Sequence, residues 1–295
     1  MEFIKTKTIL TKVKYGNEWY GVDYNMNLYR GCNHGCIYCD SRSNCYHIDN
    51  FDKPRGKENA LLILEKELSK KKEKGIVGIG SMSDTYNPFE EKYELTRGTL
   101  KLISKYGFGV SIDTKSDLIL RDLDLLKEIN SKNNVIIKFT ITTPNDNLSK
   151  IIEPNVCTSS KRLEAIKTLT SNGIYTGIML NPVLPFITDK EEDIKELVKL
   201  AYESGAKFIH TYMGMTLREN QRDYYFEKLD KYFPGIKDKY IKYYGGRYSC
   251  LPPNYKKLYE IFTKECDKYG ILYRMDEIIK AYKKDIQHNE QISLF

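Results

Sequence analysis

Strand-like and helix-like segments alternate from residue 25 to about residue 212, and this alternation restricts the chain to an α/β fold. Apolar residues recur with a period near 3.6, which predicts helices, in segments 57–74, 91–106, 120–132, 159–172 and 189–204. Between these helices lie the short apolar runs 76–79, 108–112, 135–141, 175–180 and 207–211. Short runs rich in β-branched residues are typical of buried parallel strands.

A further strand before residue 32 would make six β-α units, fewer than the eight of a closed barrel. The sequence therefore predicts a partial (β/α)6 barrel. Gly75, Gly107, Gly173 and Gly205 stand where helices are expected to end, and Asn134 takes that place before one strand. Active groups are expected at the C-terminal ends of the strands.

Three cysteines follow the first predicted strand with the spacing C-x3-C-x2-C: Cys32, Cys36 and Cys39. Thiolates are soft ligands that select iron–sulfur centres or zinc. A [4Fe–4S] cluster usually takes four cysteines, so three would leave one iron open to a ligand that is not protein. An open iron indicates chemistry rather than plain electron transfer.

Zinc is the alternative metal. Structural zinc sites generally use two separated ligand pairs, whereas the other cysteines, Cys45, Cys157, Cys250 and Cys266, are scattered singly. The short loop is not expected to turn His34 toward the same ion. An odd number of cysteines, seven, and a start without secretory character argue against a disulfide framework.

The cysteine run resembles the signature of radical S-adenosylmethionine (SAM) enzymes, C-x3-C-x-aromatic-C, with Tyr38 as the aromatic residue. The wider text NLYRGCNHGCIYCDSR resembles the spore photoproduct lyase branch. Further similar stretches are GSMSDTYNPFE at 80–90, TKSDLILRDLDLL at 114–126 and TITTPNDNLSKIIEP at 140–154. The resemblance covers roughly residues 20–212, and its motifs do not identify the substrate.

This resemblance implies a [4Fe–4S] cluster held by Cys32, Cys36 and Cys39, with SAM chelating the fourth iron. Transfer of one electron to the sulfonium would then release a 5′-deoxyadenosyl radical that abstracts a hydrogen atom from the substrate. The resemblance also implies the partial barrel already predicted from the alternating segments.

Eight residues are candidates for binding SAM. Ser81, Ser83 and Asp84 follow the second strand, where the superfamily binds the methionine amino group, and Lys115 ends the third strand and is a candidate for the ribose or the carboxylate. The remaining candidates are Thr142 at the end of the fourth strand, Glu153 for ribose hydroxyls, Arg162 for the carboxylate, and Tyr38 beside the adenine. A strand-end turn or a solvated surface charge is the alternative for most of them.

Cys45 lies six residues past Cys39 and is expected near the mouth of the cluster site, as a hydrogen-atom donor, an auxiliary ligand or an idle thiol. Cys250 is a second, weaker donor candidate. Asp40 stands where relatives often have an aromatic residue, which argues against tyrosine-assisted hydrogen transfer at this point.

The composition fits a cytoplasmic protein with reduced thiols, because no apolar run is long enough for a membrane span. Net charge is +7, which suits a polyanionic partner. The predicted domains are an N-terminal extension 1–24, the barrel 25–212, a tyrosine-rich helical cap 213–286 over the open side of the barrel, and a tail 287–295.

The tail ends in Gln291-Ile292-Ser293-Leu294-Phe295. The pattern, with Gln291, Leu294 and Phe295 as anchors, resembles the peptide by which bacterial repair proteins bind the sliding clamp. A short extended segment with paired apolar anchors suits that interaction. The alternative is a tail that folds back on the barrel.

Together these features predict a radical SAM enzyme, of the spore photoproduct lyase type, that repairs or modifies a base in DNA. Its partners would be DNA, the sliding clamp, and an electron donor such as flavodoxin or ferredoxin. Two alternatives remain: radical chemistry on RNA, a peptide or a small molecule, and a non-enzymatic iron–sulfur or zinc scaffold for repair factors.

Overall fold

The computed structural model of the protein describes residues 1–14 and 18–283. The predicted clamp-binding residues Gln291, Leu294 and Phe295 lie outside the described residues. Within the described part of the chain, no helix is both long and apolar enough to cross a bilayer.

Seven strands form one sheet, and six of them are parallel. The strands of the protein are β1 (Phe3–Ile4), β2 (Thr11–Lys12), β3 (Tyr24–Met26), β4 (Tyr29–Arg30), β5 (Arg55–Lys57), β6 (Ile76–Ile79), β7 (Gly109–Thr114), β8 (Val135–Thr140), β9 (Tyr175–Leu180), β10 (Ile209–Thr211), β11 (Met215–Thr216) and β12 (Ser249–Cys250). The order in the sheet is β10-β9-β8-β7-β6-β3-β2, and only β2 runs antiparallel to its neighbour.

The six parallel strands confirm the predicted α/β fold of β-α units. The helices are α1 (Ala60–Ser69), α2 (Glu90–Tyr93), α3 (Leu95–Lys105), α4 (Leu123–Lys132), α5 (Asp146–Ile152), α6 (Ser159–Ser171), α7 (Glu191–Glu203), α8 (Gln221–Tyr232), α9 (Ile236–Tyr244), α10 (Tyr255–Tyr269) and α11 (Met275–Tyr282). Every residue of β8 is buried, as expected for a strand covered on both faces.

Two helices differ from their predicted bounds, one because it is divided and one because it begins later. The segment 91–106 divides into α2 and α3 because Glu94 adopts a left-handed conformation with φ 47°. Residues Asp117–Asp122 form a 3₁₀ turn before α4. The sequence analysis missed α5, which begins where the side chain of Asn145 accepts hydrogen bonds from the backbone N–H groups of Asn147 and Leu148.

Three of the four expected helix-ending glycines have positive φ, which confirms their role: Gly107, Gly173 and Gly205 have φ of 73°, 76° and 76°. Gly75 is different, because a Cβ there would lie 2.5 Å from the carboxylate of Asp23. That carboxylate accepts the N–H of Ile76 at 2.7 Å, so this glycine makes room for a side chain that holds the start of β6.

The region after residue 212 is helical and rich in tyrosine, as predicted, and its helices pack at different places on the protein. Helices α8 and α9 pack with the cysteine loop through a cluster that includes Cys36, Tyr38 and Tyr225. Helix α10 packs against α7. Helix α11 packs below the strands, where Ile278 contacts Tyr20 and Phe208.

Candidate functional site

A cavity of about 220 Å³ opens at the C-terminal ends of the parallel strands, as predicted for a β/α barrel. The cysteine loop forms one wall, the loop after β6 a second, and the ends of β7, β8 and β9 the floor. The lining residues are Trp19, Cys32, His34, Cys36, Cys39, Ser41, Gly80, Ser81, Met82, Ser83, Asp84, Asp113, Thr114, Lys115, Thr140 and Met179.

Backbone hydrogen bonds hold the cysteine loop at three points. Cys32 N donates to Phe51 O at 2.8 Å, and Ile37 N donates to Ile152 O at 2.9 Å. The carbonyl of His34 accepts the N–H of Asn155 at 3.1 Å. These bonds fix the loop on long-range partners, so the three thiols are positioned by the fold and not by the loop alone.

The donor set of the cavity fits an iron–sulfur cube. All three thiols line the same cavity. Among residues 1–14 and 18–283, no three His, Cys, Asp or Glu side chains converge on one metal ion. A cube needs thiolates that each reach a separate iron, whereas a structural zinc needs ligands that meet at one point.

Burial raises the pKa of the thiols of Cys32, Cys36 and Cys39, to about 12 for Cys32. The ammonium of Lys115 opposes this effect at Cys36 and Cys39. Because metal ligands must be thiolates, loading of iron releases protons from these groups.

Four of the predicted SAM-binding residues lie in the cavity beside the cysteines: Ser81, Ser83, Asp84 and Lys115. The hydroxyl of Ser83 donates to Gly31 O at 2.7 Å, which ties this loop to the cysteine loop. The hydroxyl of Ser81 is exposed in the cavity and can accept from an ammonium group.

The carboxylate of Asp84 is already engaged by the protein. It accepts Thr114 Oγ1 at 2.8 Å, Lys115 N at 2.7 Å and Tyr86 N at 2.9 Å, and it lies 3.5 Å from Nδ1 of His34. These bonds make Asp84 the clamp between the loop after β6 and the end of β7. Its negative charge still faces the cavity.

Lys115 supplies the positive charge of the cavity. Burial would lower the pKa of its ammonium, but the charges of Cys36, Glu153 and Asp84 outweigh burial and raise that pKa above its ordinary value. The cavity therefore contains a fixed cation.

Tyr38, Glu153 and Arg162 lie behind the cavity wall, and none of the three lines the cavity. The hydroxyl of Tyr38 donates to Oε1 of Glu153, and NH1 of Arg162 donates to Oε2 at 2.6 Å. The carbonyl of Tyr38, expected beside the adenine, accepts Nε2 of Gln221 at 2.9 Å. These three side chains bond to each other instead of lining the cavity.

Thr142 is buried beyond the end of β8, outside the lining of the cavity. Its hydroxyl has no hydrogen-bond partner among the described residues. A buried hydroxyl without a partner costs free energy. The hydroxyl of Thr142 therefore remains free to donate and accept a hydrogen bond.

Cys45 does not line the cavity. Two short 3₁₀ turns carry it to the surface. There its sulfur accepts NH1 of Arg218 at 3.1 Å, and Nε of Arg218 lies 3.2 Å from Asp40. Cys250 also lies outside the cavity, because it is buried in the apolar cluster of α8 and α9.

Several lining residues were not predicted from the sequence, among them Trp19, Asp113 and Met179. Asp113 and Met179 occupy strand positions with no distinguishing local pattern. Trp19 comes from the predicted N-terminal extension, which therefore contributes to the cavity. No short-range signal in the sequence places residue 19 beside residue 179.

Below the cavity lies a buried ion pair. Nζ of Lys138 is 2.9 Å from Oδ1 of Asp113 and donates to Oγ of Ser111 at 2.7 Å. The same ammonium lies 4.4 Å from the ring centre of Tyr20. This pair gives the floor of the cavity a polar character.

Gly80 provides a test of the cavity wall. Its φ is +101°, and an added Cβ would lie 2.3 Å from the backbone oxygen of Asp113. Gly80→Ala is therefore expected to lower the free energy of unfolding by about 1–3 kcal/mol from backbone strain, with the steric clash in addition. Gly246→Ala is the matched control, because an added Cβ there contacts nothing within 4 Å. Equal unfolding midpoints for the two variants in urea would contradict the described wall.

Comparison with known proteins agrees with this geometry. The radical SAM superfamily model matches residues 26–201. An uncharacterized protein of Methanocaldococcus jannaschii is 33% identical over 90% of this chain and 87% of its own length. An uncharacterized protein of Mycobacterium bovis is 30% identical over 80% of this chain and 71% of its own length.

Among solved structures, spore photoproduct lyase has a similar fold. The TM-score is 0.65 at 16% identity, over 90% of this chain and 78% of the lyase chain. This identity establishes the shared fold alone. The family match, with the three cysteines at one cavity, implies a [4Fe–4S] cluster and SAM as the cofactors, and the chain belongs to the radical SAM superfamily.

Proposed function

We propose that the protein is a radical SAM enzyme that removes a hydrogen atom from a base in DNA and thereby repairs or modifies that base. The extent of the fold similarity carries this proposal. Similarity to spore photoproduct lyase covers 90% of the chain and so extends well beyond the barrel. One such lyase was solved with bound AdoMet and a dinucleoside spore photoproduct.

The residues of the cavity support the chemistry. Cys32, Cys36 and Cys39 would hold the cluster, and when bound the cluster and SAM supply a 5′-deoxyadenosyl radical. Lys115 would pair with the carboxylate of SAM. Ser81, with the negative charge of Asp84 behind it, would accept the ammonium group.

The rest of the cavity would shape the reaction. Trp19 and Met179 present apolar surface beside the polar groups and would exclude water from a radical. Asp113 offers a carboxylate on the floor, where it can accept a hydrogen bond from a substrate amide or amine. The net charge of +7 favours a polyanionic substrate.

Formation of 5′-deoxyadenosine tests the substrate class. Reconstituted protein is incubated anaerobically with SAM and dithionite, and then with ultraviolet-irradiated DNA, undamaged DNA of the same sequence, or RNA. Irradiated DNA is expected to raise the yield of 5′-deoxyadenosine several-fold, while undamaged DNA does not. Stimulation by RNA alone, or by neither nucleic acid, would contradict the proposal.

A further inference from the structure

Four tyrosines expose their rings on the C-terminal side of the barrel: Tyr212, Tyr243, Tyr255 and Tyr259. Their exposed fractions are 50%, 49%, 37% and 44%. We call them, with the cations Arg247 and Lys256, the tyrosine surface. Large rings gathered on an open surface mark interaction sites more often than rings scattered singly.

The tyrosine surface is continuous. One cleft is lined by Tyr212, Tyr255, Lys256 and Tyr259, and a second cleft by Tyr243, Arg247 and Tyr255. Both clefts share Leu251 and Tyr255. A flexible chain could therefore pass from one cleft to the other over Tyr255 without leaving the surface.

The charge of the tyrosine surface is predominantly positive. Residues 239–259 contain five lysines and arginines and no aspartate or glutamate. Lys257 pairs with Glu191 at 2.5 Å, but Arg247 and Lys256 form no ion pair within the described chain. Glu260 contributes one carboxylate to the first cleft. Unpaired cations beside exposed rings complement a polyanion.

The rings are supported by neighbouring groups. The hydroxyl of Tyr212 lies 2.8 Å from Oγ of Ser249. Tyr243 meets Tyr244 edge-to-face at 4.9 Å, and Tyr259 contacts Phe262 at 6.0 Å between ring centres. Because these contacts already restrict the rings, binding would lose less conformational entropy.

The tyrosine surface begins beside the cavity. Tyr212 follows β10 directly, and its N–H donates to Oδ1 of Asn181, just after β9, at 2.7 Å. On the other side, the hydroxyl of Tyr248 accepts NH2 of Arg218, which also contacts Asp40 next to Cys39. The surface thus runs outward from the rim of the site.

We propose that the tyrosine surface binds single-stranded DNA on the strand that carries the reacting base. Tyr212 and Tyr255 would stack on unpaired bases, and Arg247 and Lys256 would contact phosphates. This inference rests on the proposed action on DNA. The excess of positive charge favours a nucleic acid over a protein partner, which would need no excess of cations.

Binding of a fluorescein-labelled oligodeoxythymidylate of about 12 nucleotides tests the inference. Fluorescence anisotropy is measured with the cluster-containing protein at several salt concentrations. The double variant Tyr212→Ala/Tyr255→Ala is expected to weaken binding by about five- to a hundredfold for each ring removed. Arg247→Ala/Lys256→Ala is expected to lower the slope of log affinity against log salt by about 1–2.

Tyr202→Ala/Tyr232→Ala is the matched control, because both rings are exposed elsewhere. Equal weakening by the control, tighter binding of oligouridylate than of the DNA probe, or no binding by the unmodified protein would overturn the inference. Loss of binding in the first variant alone supports it. Because the probe carries no lesion, this result is independent of stimulation of SAM cleavage by irradiated DNA, so the two proposals can fail separately.

Discussion

Arg162→Met is expected to lower the free energy of unfolding by about 3–5 kcal/mol. Arg162 is fully buried and donates four hydrogen bonds to three acceptors. These are Thr140 O, Glu153 Oε2, and Cys157 O, which accepts from two nitrogens. Burial opposes its charge, but Glu153 holds the pKa of the guanidinium above its ordinary value. Methionine would leave the buried carboxylate of Glu153 without its cation.

The same substitution is expected to weaken the cluster site. Glu153 accepts the hydroxyl of Tyr38, and Tyr38 lies between two of the cysteines. Loss of groups that orient metal ligands typically lowers metal affinity about 10–100-fold. Iron content after dialysis against a chelator measures this effect. Unchanged retention of iron would show that the ion pair does not support metal binding by the cysteine loop.

Two controls define the cause of the instability. In Arg162→Met/Glu153→Leu both charges are absent, so the double variant is expected to recover part of the lost stability. Lys132→Met breaks a half-exposed pair with Glu128 at 2.7 Å and is expected to cost less than about 0.5 kcal/mol. Urea unfolding followed by circular dichroism gives all three values. A double variant less stable than Arg162→Met would contradict the stranded-charge explanation.

Cys36→Ala is expected to abolish both the cluster and the cleavage of SAM. Its thiol is one of three that line the cavity, and no other described cysteine lines that cavity. With two thiolates left, a cube keeps too few protein ligands to stay bound. Absorbance near the cluster band and the yield of 5′-deoxyadenosine should both fall to background.

Cys45→Ala is the matched control for this loss. Cys45 is exposed, contacts Arg218 and does not line the cavity. It should retain iron and SAM cleavage, and the distribution of products from irradiated DNA then tests the predicted donor role. Iron loss from Cys45→Ala equal to that from Cys36→Ala would show that the cluster ligands are misassigned.

The sequence predicted the parts of the site that depend on short spacing and on strand ends. Cys32, Cys36 and Cys39 lie in one loop, so their spacing alone indicates a shared centre. Ser81 and Lys115 follow neighbouring parallel strands, whose C-terminal ends meet at one edge. Both therefore reach the cavity although they are far apart in sequence.

The direction of a side chain was harder to predict. Glu153 and Arg162 stand in the expected loop and helix. Behind the wall, however, Arg162 pairs with Glu153 and donates to the carbonyl of Cys157. Cys45 is close to Cys39 in sequence, but its sulfur contacts Arg218, 173 residues away. Such contacts depend on packing between distant segments, which no local pattern encodes.

The contribution of the N-terminal segment to the cavity could not be predicted from local sequence patterns either. Trp19 lines the cavity, and Tyr20 packs against Phe208 at 5.8 Å between ring centres. The carbonyl of Tyr20 accepts the hydroxyl of Tyr282 near the other end of the chain. A segment predicted as an extension thus contacts both the barrel and helix α11.

The central claim is that the three cysteines hold a cube whose fourth iron binds SAM. Anaerobic reconstitution followed by Mössbauer spectroscopy, with and without SAM, tests it most directly. We expect about four irons per chain as a [4Fe–4S] cluster, a change at one iron when SAM is added, and 5′-deoxyadenosine after reduction. Bound zinc, or a cluster whose four irons are unaffected by SAM, would contradict it.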